Sequence, residues 1–236
     1  MNLIRIIKLK FYYLINRNTL ISFIFAFLLI IAVLLIEILN LDQKRADEEL
    51  INEYLINAYV YIKMFISILS MYLFSYAISF KNDFLIYLLL PLGVKREKNI
   101  LASIILNGLL ILFLYVLIFI ACGYLALAIK SFKMTYDIIY AFINILALAY
   151  IYGLYAMLLM QILKNNFSII IMIAIFIISN NMMEYQDNFF IKVLNLIIPS
   201  LDLNGNYLYN NVYLFILIII LIIFNMIVYH YRDLNF

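Results

Sequence analysis

One histidine, His230, and one cysteine, Cys122, are all that this 236-residue chain offers of the two side chains most used for metal binding and nucleophilic attack. A zinc site needs three or four Cys, His or carboxylate ligands, and no H-E-x-x-H pair is present. A single cysteine cannot form an internal disulfide, so Cys122 reads as a small apolar residue inside a hydrophobic run. A Ser-His-Asp relay has only His230 to build on. His230 stands at the end of the last apolar run and reads as an interfacial residue. Glu48 and Glu49 form an acidic pair with no histidine near them. None of the five glycines lies in G-x-x-x-x-G-K-[ST], so the chain has no phosphate-binding loop. The expectation is no catalytic residue, no metal and no cofactor bound by the chain itself.

The elements that must carry any function are apolar. Residues 18–36, 64–80, 99–129, 138–163, 165–183 and 203–231 contain no Lys, Arg, Asp or Glu. The composition is 69% hydrophobic and 12% charged, with mean hydropathy +1.10. A soluble domain carries about a quarter charged residues, and a transmembrane helix needs ~20 apolar ones. The runs are continuous and not alternating, which excludes a barrel of alternating strands and favours helices that satisfy their own backbone. The expected fold is an all-α membrane protein, one domain over 1–236, with six spans at about 19–39, 58–80, 99–122, 138–162, 167–183 and 211–230. Before them, Ile4, Ile7, Phe11 and Leu14 share one face of residues 3–15, and Arg5, Lys8 and Tyr12 another. That pattern predicts an amphipathic helix lying in the membrane interface. The first run is longer than a signal h-region and no A-x-A-like site follows, so it reads as a retained span.

Charge placement orients the chain. With both termini cytoplasmic, inner segments hold ten Lys/Arg against three Asp/Glu, and outer segments five against nine. This fits the positive-inside rule. The basic patches are small and lipid-adjacent, which argues against nucleic acid. The outer loop 40–57 is acidic and reads as partly helical; Lys63 lies within the outer end of the second span and reads as a lysine snorkelling to the surface. Tyrosines near span ends suit the interfacial position.

The spans also contain uncharged polar residues: Ser67, Ser70, Ser75, Asn107, Asn144, Gln161, Asn180, Asn181 and Asn225. Such residues usually hydrogen-bond between helices, and without a buried charge beside them they read first as helix glue. Ser67, Ser70, Ser75, Asn180 and Asn181 are also candidates for a translocation path or dimer interface. No Asp, Glu or His stands at mid-depth, which argues against a proton- or sodium-driven carrier. Between spans five and six, NFFIKVLNLIIPSLDLNG is apolar but too short to cross. It predicts a short helix dipping into the outer leaflet, broken near Pro199, then a loop through Asn204-Gly205-Asn206.

The loop 81–98 is the most specific segment. Asp83-Phe84-Leu85-Ile86-Tyr87-Leu88-Leu89-Leu90 is apolar enough to lie along the membrane, Pro91-Leu92-Gly93 ends it, and Val94-Lys95-Arg96-Glu97-Lys98 leads into span three. This resembles the intracellular coupling segment of type-2 ABC exporter permeases: a polar start, a leucine-rich short helix, Leu-Pro and then basic residues. The helix 3–15 is similar to the family's elbow helix, residues 188–202 to its outer re-entrant pair, and Tyr229-His230-Tyr231-Arg232 to its aromatic and basic end. Large outer domains are lacking, as in the compact permeases of lantibiotic immunity and phenol-soluble modulin export.

The resemblance implies a permease subunit in a bacterial cell membrane. A second permease, identical or related, would pair with it. Two copies of a separate P-loop ABC ATPase would hold the ATP and Mg. Asp83, Phe84, Leu85, Tyr87, Leu88, Pro91, Lys95 and Arg96 would contact that ATPase, and spans one, two and five would line the path. The apolar lining and small outer loops suit an amphipathic or antimicrobial peptide taken from the surrounding lipid. The alternatives are a non-transporting scaffold or sensor, or an ABC exporter of a non-peptide substrate.

Overall fold

The structure is a computed structural model that describes residues 2–14, 17–40, 47–78, 89–91, 93–129, 136–165, 167–181, 197–199 and 207–231. Among these residues the fold is all helical. The seven helices are α1 (Leu3–Leu14), α2 (Arg17–Asn40), α3 (Asp47–Tyr76), α4 (Arg96–Ile129), α5 (Tyr136–Leu163), α6 (Phe167–Asn181) and α7 (Tyr207–Tyr231). Four segments are long and apolar enough to cross a membrane: Glu53–Tyr76, Arg96–Leu127, Ile139–Leu163 and Val212–Tyr231. Phe23–Leu39 and Phe167–Asn180 are shorter apolar helices.

Helix α5 is the centre of the bundle. It packs against α3, α6 and α7, whereas its backbone meets α4 at few points. Two-thirds of its span is buried (67%), against 22% for α7, which leaves most of α7 facing outward. Small residues make this centrality possible: Ala147, Ala149, Gly153 and Ala156 all lie within α5 and are buried. A Cβ at 153 would collide with Ser70 and Phe74 of α3, so the glycine sets how closely α3 and α5 approach. Gly108 of α4 does the same for the Tyr150 ring of α5.

Helix α1 is not free. Its Ile6 joins Leu89, Val94 and Ala102 in a second apolar cluster, with Leu3 and Ile7 packed on it, and buried Lys10 donates to the Ser103 hydroxyl of α4. The face turned to α4 is therefore Leu3, Ile6 and Lys10. Ile4 and Phe11, expected on one apolar stripe with Ile7, are exposed and form a separate stripe. This arrangement gives α1 one face packed on the protein and one exposed face.

One expectation changes on α3. The helix begins at Asp47, in keeping with the partly helical reading of 40–57. The helix ends at Tyr76, where the Ile78 amide turns back to the Ser75 carbonyl (3.2 Å). By length and composition the candidate crossing segment is Glu53–Tyr76, which places Lys63 ten residues, about 15 Å, inside it. Lys63 is 8% exposed, so it does not snorkel to a surface.

Candidate functional site

Two places concentrate what chemistry the chain has. The first is one end of the bundle, where α1, the start of α4 and the end of α7 meet; it is called the foot below. Asp83, Phe84, Leu85, Tyr87 and Leu88 lie outside the described residues. Leu89 is helical, the Val94 amide donates to the Leu89 carbonyl (3.2 Å), and the Gly93 amide donates to the Leu90 carbonyl (3.0 Å). This pair of bonds, with Gly93 at φ 74°, is a Schellman turn closing a helix. Glycine is the residue that takes this backbone without Cβ strain. The motif's usual apolar contact is present, because Leu89 and Val94 are buried in one cluster. Pro91 is exposed, and Lys95 and Arg96 follow at the start of α4.

That start is bonded to the end of α7. Asn99 Nδ2 donates to the Tyr229 hydroxyl (2.9 Å), and both residues are buried. Arg96 donates to the His230 carbonyl (3.2 Å), one of the carbonyls that the end of α7 leaves without a helical partner. Glu97 Oε1 lies 2.7 Å from His230 Nδ1. The Glu97–His230 pair is solvent-exposed and worth under ~1 kcal/mol; the Asn99–Tyr229 bond is shielded and more specific.

The second place is a polar file inside the bundle. Lys63, Ser67 and Ser70 repeat along one buried face of α3. Tyr54 donates to the Cys122 carbonyl (3.4 Å), joining α3 to α4. Tyr150 of α5 lies over Gly108 and donates to the Ile104 carbonyl (3.1 Å). Ser70 and Phe74 of α3 face Gly153 of α5. The hydroxyls of Ser67, Ser70 and Ser75, both amide atoms of Asn107 and Oδ1 of Asn144 make no hydrogen bond. Leaving a buried polar group unpartnered costs about 1–3 kcal/mol. Asn107 and Asn144 therefore do not act as helix glue in this arrangement.

Asn225 does. It accepts from Gln161 Nε2 (2.8 Å) and donates to the carbonyls of Leu154 (3.2 Å) and Leu221 (2.9 Å), tying α7 to α5. Asn180 spends its amide on the Phe176 carbonyl of its own helix (2.9 Å), and the Asn181 side chain lies outside the description. The structure thus buries Ser67, Ser70 and Asn107, seats Ser70 against Gly153, and commits Asn180 to its own helix.

Pro199 is buried beside α5, deeper than an outer loop would lie. Tyr155 donates to the Ile197 carbonyl (2.5 Å), and Tyr152 reaches the Pro199 carbonyl (3.5 Å) and Ser179 of α6 (2.6 Å). Tyr152 is midway along the crossing segment Ile139–Leu163. Carbonyls where a helical turn ends are left without helical partners, and these phenols supply donors for those of Ile197 and Pro199. Tyr152 and Tyr155 were not among the expected site residues. Their signal was a phenol deep in an apolar run, a group that needs a partner when buried.

An apolar cavity of about 420 Å³ lies between α4, α5 and α7, lined by Leu109, Leu112, Ile143, Ala147, Phe215 and Ile222 among others. It contains none of the expected site residues. Among the described residues no three His, Cys, Asp or Glu side chains gather to hold a metal. No protein-family model, curated protein or solved structure matches the chain.

Proposed function

We propose that this chain is the membrane-spanning permease subunit of an ATP-driven exporter, energised by a separate ABC ATPase. The observation that carries the reading is the foot. A Schellman turn at Leu89–Val94 leads directly into basic Lys95 and Arg96, and its Leu89 and Val94 pack with Ile6 of α1 and Ala102 of α4. A docking contact made through this turn would be tied to a span. The chain has no phosphate loop, so ATP and Mg belong to the partner.

On this reading the foot is cytoplasmic, α1 is the elbow helix, and Ile4 and Phe11 face lipid. Helix α2, 24 residues or about 36 Å long, is the first of six spans. Helix α6 has 15 residues, about 22 Å, short of the ~30 Å hydrocarbon core. Its far end and residues 197–199 meet at the level of Tyr152. That supports a broken, re-entrant arrangement between spans five and six. Two such chains, identical or related, pair in a bacterial cell membrane around two ATPases. The cargo is an amphipathic peptide, for which the polar file of α3 offers hydrogen-bonding groups inside an otherwise apolar bundle.

The test is co-purification with ATPase candidates. Lys95→Glu and Asp83→Lys should lose the ATPase while the permease stays in the membrane. Retention by both variants would remove the foot as the contact. Amphipathic peptides should stimulate ATP hydrolysis by the complex in lipid; stimulation by another substrate class instead would overturn the cargo assignment.

A further inference from the structure

We propose that the end of α7 belongs to the coupling platform, with Asn99, Glu97 and Arg96 as positioning residues that deliver the platform's displacement through Tyr229 and His230 to the bundle centre. The inference rests on the exporter reading above and adds a route to it. A push on Leu89–Lys95 moves the start of α4, because Val94 and Ala102 share one apolar cluster with Leu89 and Ile6. Helix α4 reaches α5 directly through side chains, with Tyr150 donating to the Ile104 carbonyl (3.1 Å) and Tyr115 to the Phe142 carbonyl, and α7 offers a second route. Helix α7 touches both. Its last turn holds α4 through Asn99–Tyr229 (2.9 Å), Arg96–His230 carbonyl (3.2 Å) and Glu97–His230 (2.7 Å).

One turn earlier along α7, Asn225 holds Gln161 of α5 (2.8 Å). Asn99, Tyr229, Gln161 and Asn225 are all at most 2% exposed, so neither link competes with bulk water. The rest of α7 is largely unburied, so these two polar links are its fixed points near the foot. The platform therefore extends from α1 through Leu89–Val94 and α4 to α7, and its output is α5. Helix α5 in turn carries Gly153 against the polar file and Tyr152 and Tyr155 against the broken segment.

Two measurements on the intact complex decide it. In the first, Tyr229→Phe removes one hydroxyl and leaves the ring. Peptide transported per ATP hydrolysed should fall roughly fivefold, the equivalent of one buried hydrogen bond, with ATPase co-purification unchanged. An unchanged ratio would overturn the proposal. In the second, Asn99→Cys and Tyr229→Cys are joined in a Cys122→Ala background. The cross-linked protein should transport at the ratio of the Cys122→Ala parent, and reduction should lower that ratio. Failure to cross-link, or loss of transport on cross-linking, would show that the two ends do not travel together. If the unaltered chain co-purifies with no ATPase, the exporter reading falls and this route with it. A bound ATPase with unaltered coupling in Tyr229→Phe removes the route alone.

Discussion

Asn107 and Asn225 are equally buried, and replacing each by leucine should shift stability in opposite directions. Asn225 makes three hydrogen bonds, one of them to Gln161 across the helix interface. Asn225→Leu removes an interhelical bond worth ~0.6–2 kcal/mol. It also strands the Gln161 amide nitrogen in an apolar interior, at about 1–3 kcal/mol. Together these give a destabilisation of about 2–5 kcal/mol. Asn107 makes no hydrogen bond through either amide atom. Asn107→Leu exchanges two unpartnered polar atoms for a side chain of similar size, so it should be neutral or stabilise by ~1–3 kcal/mol. The assay is reversible unfolding of the purified protein in mixed micelles, with Gln161→Leu and the Gln161→Leu/Asn225→Leu double variant completing a cycle. The double variant should recover most of the single-variant loss, because replacing both partners strands neither. A destabilising Asn107→Leu, or strictly additive effects at 161 and 225, would refute the distinction between file and glue. If the file serves transport, the stabilised Asn107→Leu protein should be the less active exporter.

Gly153→Leu should separate α3 from α5, because the added side chain meets Ser70 and Phe74; a loss of more than ~1–3 kcal/mol is expected in the same unfolding assay. Tyr155→Phe removes the donor to the Ile197 carbonyl and should speed hydrogen exchange around residues 197–199 while leaving α4 unchanged. Ile6→Asp places a charge in the cluster of Leu89, Val94 and Ala102, and should release α1 to protease without unfolding the spans. Glu97→Gln should cost less than ~1 kcal/mol in stability, since its pair with His230 is exposed.

The apolar runs made the helices legible, and α5 lies within two residues of its expected ends at both sides. Hydropathy reports what lipid tolerates and not where a helix stops. That is why 40–57 read only as partly helical, without the helix start at Asp47 that makes Asp47–Asn57 continuous with α3. The same shift carried Lys63 from a span end to the interior. Ser67 and Ser70 were visible as polar residues on one helix, but the seat of Ser70 against Gly153 depends on how α3 packs on α5, which one chain's periodicity does not encode. The Schellman turn was legible in Leu-Pro-Leu-Gly. The link from Asn99 to Tyr229 spans 130 residues of sequence and follows only from the packed foot.

The central claim is that the foot receives an ATPase. The most direct measurement is ATP hydrolysis by a purified complex of this chain with its ATPase in lipid, comparing wild type with Lys95→Glu. The account predicts a stable complex whose hydrolysis rises with amphipathic peptide, and loss of both binding and stimulation in Lys95→Glu. A foot that binds no ATPase, or an ATPase that ignores the charge reversal and is bound elsewhere, would contradict it.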